Sequence, residues 1–204
     1  MNFIEFDPLK CDECYKCLRV CPTKAIAFTK ESRNIIDDRC IKCGMCQMEC
    51  ESGALSIHLD INKVRQAIGQ GKKVVATIAP SYAGVFTLSD PLLMVSALKK
   101  LGFSHVEETA HGAELVSLQY EKEIIEDNAD NIITSCCPSS NYLIEHYYPQ
   151  AIHSVIKVVS PMIAHGMDLK SRYGSEVFVV FIGPCLAKKA EADEFEQSID
   201  AVIT

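Results

Sequence analysis

The chain has 204 residues, 48% of them apolar and 23% charged, so it can bury a sizeable core. A formal net charge of −7 argues against nucleic acid, which calls for a basic stripe. The longest apolar run, at 177–182, is strand-sized and far short of the ~18–20 residues of a membrane span, and the N-terminus lacks the basic-then-apolar pattern of a secretory signal. A cytoplasmic protein with no membrane span is therefore expected.

Eight of the 11 cysteines lie between Cys11 and Cys50. The run Cys11-x-x-Cys14-x-x-Cys17-x-x-x-Cys21 recurs 29 residues later as Cys40-x-x-Cys43-x-x-Cys46-x-x-x-Cys50. The flanks repeat with it, Ala25-Ile26-Ala27-Phe28 matching Ala54-Leu55-Ser56-Ile57. Residues 1–58 thus read as two copies of one βαβ-like unit. Residues 59–72 form a linker whose helix carries Ile61, Val64, Ala67 and Ile68 on one face and is ended by Gly69 and Gly71. From 73 to 204 strands and helices alternate. Strands are expected at 74–79, 105–107, 131–134, 177–182 and 201–204, and helices at 91–101, 113–127, 161–172 and 187–195. The pattern predicts an α/β domain with a mainly parallel sheet. In such sheets, sites lie past the carboxyl ends of strands. Cys136 and Cys137 follow one expected strand and Cys185 another, so the three are expected to converge on one pocket. The last expected strand has no helix after it, and the domain reads as truncated.

Clustered cysteines in a chain without a secretory signal favour metal over disulfides. C-x-x-C-x-x-C wraps three thiolates round one face of a 4Fe–4S cubane, and the fourth Cys of the run serves the other cluster. Cys11, Cys14, Cys17 and Cys50 are expected to hold one cluster; Cys40, Cys43, Cys46 and Cys21 the other. Pro22 follows Cys21 in the usual way, whereas Glu51 replaces the second proline. Paired zinc sites fit less well, because zinc prefers paired C-x-x-C or His ligands to tandem three-Cys runs. The first domain is accordingly an α+β dicluster ferredoxin-like domain. His111, His146, His153 and His165 are scattered without metal spacing and read as structural.

Thr134-Ser135-Cys136-Cys137-Pro138, Ser160-Pro161 and Pro184-Cys185-Leu186-Ala187-Lys188-Lys189-Ala190-Glu191-Ala192-Asp193 together resemble the catalytic domain of iron-only hydrogenases, from about residue 73 onward. The resemblance implies that Cys137 and Cys185 ligate the cubane of the hydrogenase H-cluster, a cubane joined to a diiron site. It implies that Cys136 is a free thiol passing protons and that Lys188 hydrogen-bonds a cyanide of the diiron unit. Pro138 and Pro184 would shape the loops, and Met162 takes the place of a cofactor-facing Gln. Along the family's proton path Glu123 is kept, Tyr120 replaces a second Glu, and Ile156 replaces a Ser, which would break the relay. Gly183 stands where hydrogen-producing enzymes often have Met, and Ser139-Ser140 replaces Gly-Trp. The family's third cysteine motif is not among these residues, so the H-cluster is expected only in a full-length chain, and these 204 residues alone are expected to be inactive.

Three functions follow. The first is hydrogenase chemistry, 2H⁺ + 2e⁻ ⇌ H₂, fed by the two clusters from a redox partner protein, a ferredoxin or an oxidoreductase subunit. The second is a redox or H₂ sensor with the same core, as in the family's divergent branch. The third is a cluster-carrying assembly protein, which a free thiol at Cys136 disfavours.

Overall fold

A computed structural model describes residues 4–28, 33–127 and 132–204. The first repeat is β1 (Ile4–Phe6), α1 (Lys16–Val20) and β2 (Ile26–Phe28); the second is β3 (Arg33–Ile35), α2 (Met45–Met48) and β4 (Leu55–Ile57). The strands pair across the copies. β1 lies antiparallel to β4 with Ile4 opposite Ile57, and β2 antiparallel to β3 with Ile26 opposite Ile35. The repeat extends to the backbone: Glu13, Tyr15 and Lys24 have left-handed φ, and so do Lys42, Gly44 and Gly53 at the matching positions. Four of these six are not glycine, at a cost of roughly 1–2 kcal/mol each. The turns between cysteines are therefore imposed by the loop.

The helix α3 (Ile61–Gly69) buries Val64 and Ala67, and Gly71 follows with φ +72°. Beyond it come β5 (Val74–Ile78), α4 (Tyr82–Val85), α5 (Leu92–Lys100), β6 (His105–Glu108) and α6 (Ala110–Asp127). Then follow α7 (Pro138–Tyr147), α8 (Pro161–Tyr173), β7 (Phe178–Ile182), α9 (Ala187–Glu194) and β8 (Ala201–Ile203). The sheet order is β6-β5-β7-β8, every pair parallel. Both faces are covered, as parallel sheets require. Val75 and Val179 point toward Met162, Ile163 and Leu169 of α8, whereas Val74, Ala76 and Val180 meet Val64, Ala67 and Leu98.

One expected strand is corrected. At 131–134, residue 131 lies outside the described residues, and Ile133 forms only an isolated parallel bridge with Val155. The Ile133 N–H donates to Ser154 O (2.8 Å), and the Ile156 N–H to Ile133 O (2.9 Å). Ile133 is 36% exposed, whereas a strand inside this sheet would be buried on both faces. A run this short cannot by itself be told from a local extended bridge. Cys185 therefore follows a sheet strand, as expected, and the Cys136–Cys137 pair does not. Two helices were not foreseen, α4 and α7. The latter carries Pro138 at its first position, where proline is well tolerated, but Ser139, Ser140 and Asn141 mask the pattern.

Two contacts fix the layers. α6 crosses α8 so closely that a Cβ on Gly112 would lie 2.1 Å from Pro161 O. At the head of α3, Asp60 Oδ2 accepts from Lys189 Nζ (2.9 Å) and from the Val202 N–H (3.1 Å), while Lys189 also donates to Val202 O (2.8 Å). That buried pair joins the linker to α9 and β8.

Candidate metal centres

The eight repeat cysteines line two small cavities of about 20 Å³ each. Cys11, Cys14, Cys17 and Cys50 border the first; Cys21, Cys40, Cys43 and Cys46 border the second. The crossing follows from the strand exchange, since β2 and β4 begin just after Cys21 and Cys50 and carry each toward the other copy. Matching donors face these two thiols. Cys21 has Thr23 Oγ1 at 3.8 Å and the Ala25 N–H at 3.2 Å; Cys50 has Ser52 Oγ at 3.7 Å and the Leu55 N–H at 3.4 Å. Burial pushes the Cys46 thiol up to about 12, with repulsion from Cys40, Cys21 and Cys43 added; burial likewise raises Cys40. At Cys50 burial is outweighed by the Leu55 N–H and Ser52, and the thiol is held below its ordinary value. Each cavity thus presents four sulfurs, the donor set that a cubane takes, and in the second the thiols repel one another, which a cationic iron core would relieve. Glu51, in place of proline, forms a short ion pair with Lys16.

The remaining cysteines meet around Lys188. Its Nζ donates to Cys136 O (3.3 Å) and to Glu191 Oε2 (2.7 Å), and its backbone N–H donates to Cys185 O (3.3 Å). Glu191, also buried, accepts from Ser160 Oγ (2.9 Å). Cys136 and Cys137 are exposed, and Cys185 is half-buried. Cys137 caps the start of α7. Burial there is outweighed by Ser140, the Ser139 N–H and the charge of Lys188, which hold its thiol below the ordinary value.

Ser135 anchors the loop. Its hydroxyl donates to Val158 O in a short bond, its N–H donates to Tyr120 OH (3.1 Å), and its carbonyl accepts from Asn141 Nδ2 (2.9 Å). The α6 side chain that reaches this loop is therefore Tyr120. Glu123, one turn on, bonds to Gln119 at 2.6 Å. Ile156 lies on the wall of a cavity of about 310 Å³ together with Ser135, Asn141, Ser160, Glu191 and Glu194. Asn141 Oδ1, also at that cavity, is the buried side-chain polar atom without a partner among the described residues. That wall mixes Asn141, Glu191 and Glu194 with apolar side chains, and the cavity has room for water. Pro138 is buried in the first turn of α7 and Pro184 is exposed before α9. Met162 is 1% exposed within the α8 core, away from this cavity.

Sequence reasoning missed Glu191, whose signal was a Lys-to-Glu spacing of three on one helix. It also missed that His165 meets His111, with ring centroids 5.5 Å apart. His165 bonds Thr77 Oγ1 (2.8 Å) and faces Glu107. Burial of Glu107 is outweighed by Arg172, Tyr173 and His165, which hold its carboxyl down to about 2.

The two halves of the molecule touch at the second cavity. Lys42 Nζ donates to Tyr142 OH (3.0 Å), and Tyr147 OH donates to Thr23 O and Arg39 O, both at 3.1 Å. Tyr142 and Tyr147 lie on α7, the helix that begins at the Cys137 loop.

Residues 72–204 match the family model described as "Iron only hydrogenase large subunit, C-terminal domain". The chain belongs to the iron-only hydrogenase large-subunit family. Residues 3–51 of this hydrogenase-family chain match a 4Fe–4S dicluster domain, which implies iron–sulfur clusters. It is 28% identical to the NADP-reducing hydrogenase subunit HndD of Solidesulfovibrio fructosivorans, over 94% of this chain and 40% of that protein. It is 31% identical to the periplasmic Fe hydrogenase large subunit of Nitratidesulfovibrio vulgaris, over 100% and 56%. The cytosolic Fe–S cluster assembly factor NAR1 of Candida dubliniensis is 26% identical, over 75% and 30%. The chain thus spans from about a third to just over half of these relatives. A solved structure of a variant FeFe hydrogenase HydA1 from Chlamydomonas reinhardtii shares the fold, with TM-score 0.59 at 24% identity over 72% of this chain and 45% of that one. No described helix is long and apolar enough to cross a membrane.

Proposed function

We propose that residues 1–58 carry two 4Fe–4S clusters that relay single electrons to a hydrogenase active cluster in the full-length protein, where Cys137 and Cys185 are two of its cubane ligands. The observation that carries this reading is the pair of four-cysteine cavities, the second lying against the helix that starts at Cys137. When bound, the clusters supply one-electron storage at low potential. The chain's own residues do the rest. Cys136, an exposed thiol, is the group that takes and returns a proton. Lys188 is an ammonium with three donors, and Cys136 O and Glu191 use two of them. The third is available to an anionic ligand, in the manner of a charge-assisted hydrogen bond. Ser160 fixes the Glu191 oxygen that orients the lysine.

Reconstituted anaerobically, the chain is expected to bind about eight irons and to show the two-cubane EPR of a reduced bacterial-type ferredoxin. Fewer than about six irons, or stoichiometric zinc, would sink the reading. Cys21→Ala is expected to damage the cluster of Cys40, Cys43 and Cys46, and Cys50→Ala that of Cys11, Cys14 and Cys17. Mössbauer spectra of the single variants decide this, and damage confined to the variant's own copy overturns the crossed ligation. Residues 1–204, assayed with reduced viologen beside a maturation system, are expected to release no H₂, because three cysteines outside the repeat cannot supply four cubane ligands. Sustained gas evolution would place the active site elsewhere.

The sensor reading is favoured by Tyr120, a phenol where the family's path has a carboxylate. The roomy cavity beside Ile156 weighs against it. Turnover of the full-length protein separates the two: fast H₂ evolution removes the sensor. Cytoplasmic placement is part of the proposal.

A further inference from the structure

Leu186 directly follows Cys185, and its side chain points away from the sheet into the cysteine repeat. There it is 8% exposed and forms a buried cluster with Ile4, Leu55 and Ala190, against which Cys17, Cys46 and Cys50 pack. Cys17 and Cys50 belong to one cavity and Cys46 to the other. The leucine seats on Gly44: a Cβ there would lie 2.2 Å from Leu186 Cδ1. The matching residue in the first copy is Tyr15, which takes a left-handed φ of 58° with a full side chain. Backbone conformation alone therefore does not demand glycine at 44, whereas the leucine does.

We propose that Leu186 is the apolar backing that seals the walls of both cavities and keeps the reduction potentials of the two clusters low, so that a residue of the catalytic domain tunes the electron carriers of the other domain. Reduction adds negative charge to a cluster already carried by four thiolates. A wall that excludes water and offers no hydrogen-bond donor makes that addition harder. Cluster potentials answer to solvent exposure and to donors near sulfur, and Leu186 backs Ile4 and Gly44, which line one cavity, and Leu55, which lines the other.

The inference rests on the two-cluster reading, and the test separates the two. The chain is reconstituted and titrated potentiometrically under EPR, with iron determined on the same samples. Wild-type iron well short of two cubanes removes the underlying reading before any variant is compared. With full iron, Leu186→Asn, of nearly the same size but carrying an amide donor, is expected to raise both midpoint potentials. Leu186→Met, which keeps the volume and the apolar character, is expected to leave them in place. A Leu186→Asn protein that titrates like wild type at full iron overturns the inference. A second measurement needs no polar variant: with ¹³C-methyl leucine, electron–nuclear double resonance of the reduced clusters is expected to show a carbon coupling that falls in Leu186→Met. An unchanged coupling also overturns it.

Discussion

Replacing Asp60 by Ala is expected to cost about 3–5 kcal/mol of stability, the range for stranding one partner of a buried ion pair. Lys189 is 5% exposed and would keep Val202 O as its remaining acceptor. The Val202 N–H would also lose its acceptor. Exposed pairs such as Lys122 with Glu126 contribute at most about 1 kcal/mol, so burial decides which of these interactions matters. Urea unfolding at neutral pH measures the loss, and a change below about 1 kcal/mol would show that water already solvates the pair. Asp60→Leu with Lys189→Met is expected to recover most of it, short of about 1–3 kcal/mol for the unsatisfied Val202 N–H. The pH dependence has a definite sign. At Asp60 burial is outweighed by Lys189, the Val202 N–H and Lys63, so the carboxyl is held below its unfolded value. Its contribution is complete above the unfolded value, near ~3.9, and is lost as pH falls through the lower folded value. The Asp60→Ala variant is therefore expected to lack that part of the acid limb while the wild type shows it.

Lys188→Ala is expected to cost about 3 kcal/mol or more, by leaving the buried Glu191 carboxylate with Ser160 alone and Cys136 O without this donor. The two side chains are 11% and 8% exposed, so solvent screens little of the pair. A double-mutant cycle of Lys188→Met and Glu191→Gln is expected to return a coupling of about 1–3 kcal/mol. Additive losses would mean that the two groups do not act as a pair. The same substitution tests function in the matured full-length protein. Lys188→Arg keeps the charge but presents a planar fork where a compact ammonium sits between two oxygens. It is expected to restore stability in part and turnover poorly.

Much of the cysteine repeat was legible because thiols that share a cavity come mostly from short local loops, and their spacing is written in the chain. The alternation of strands and helices after residue 73 was legible for a similar reason: a strand buried on both faces, such as β7, is a continuous apolar run. What escaped depended on tertiary placement. Tyr120 and Glu123 lie on the same helix, and the one that reaches the Cys136 loop is settled by how α6 crosses α8 at Gly112 and Pro161. No pattern within α6 records that crossing. The expected strand at 131–134 failed because its apolar residues serve a local bridge to Val155. Gly44 carried no sequence mark of its purpose either. Its reason is Leu186, more than a hundred residues away.

The exchange of strands between the two copies has a consequence for self-sufficiency. Each copy contributes three sulfurs to one cavity and the fourth to the other, and each of its strands has its partner in the other copy. A single copy can therefore complete neither a sheet nor a four-cysteine cavity. Two separate copies could complete both by facing each other about a two-fold axis, so the covalent repeat is a symmetric dimer written into one polypeptide. During synthesis the same arrangement delays closure: the cavity begun by Cys11 stays open until Cys50 has been made.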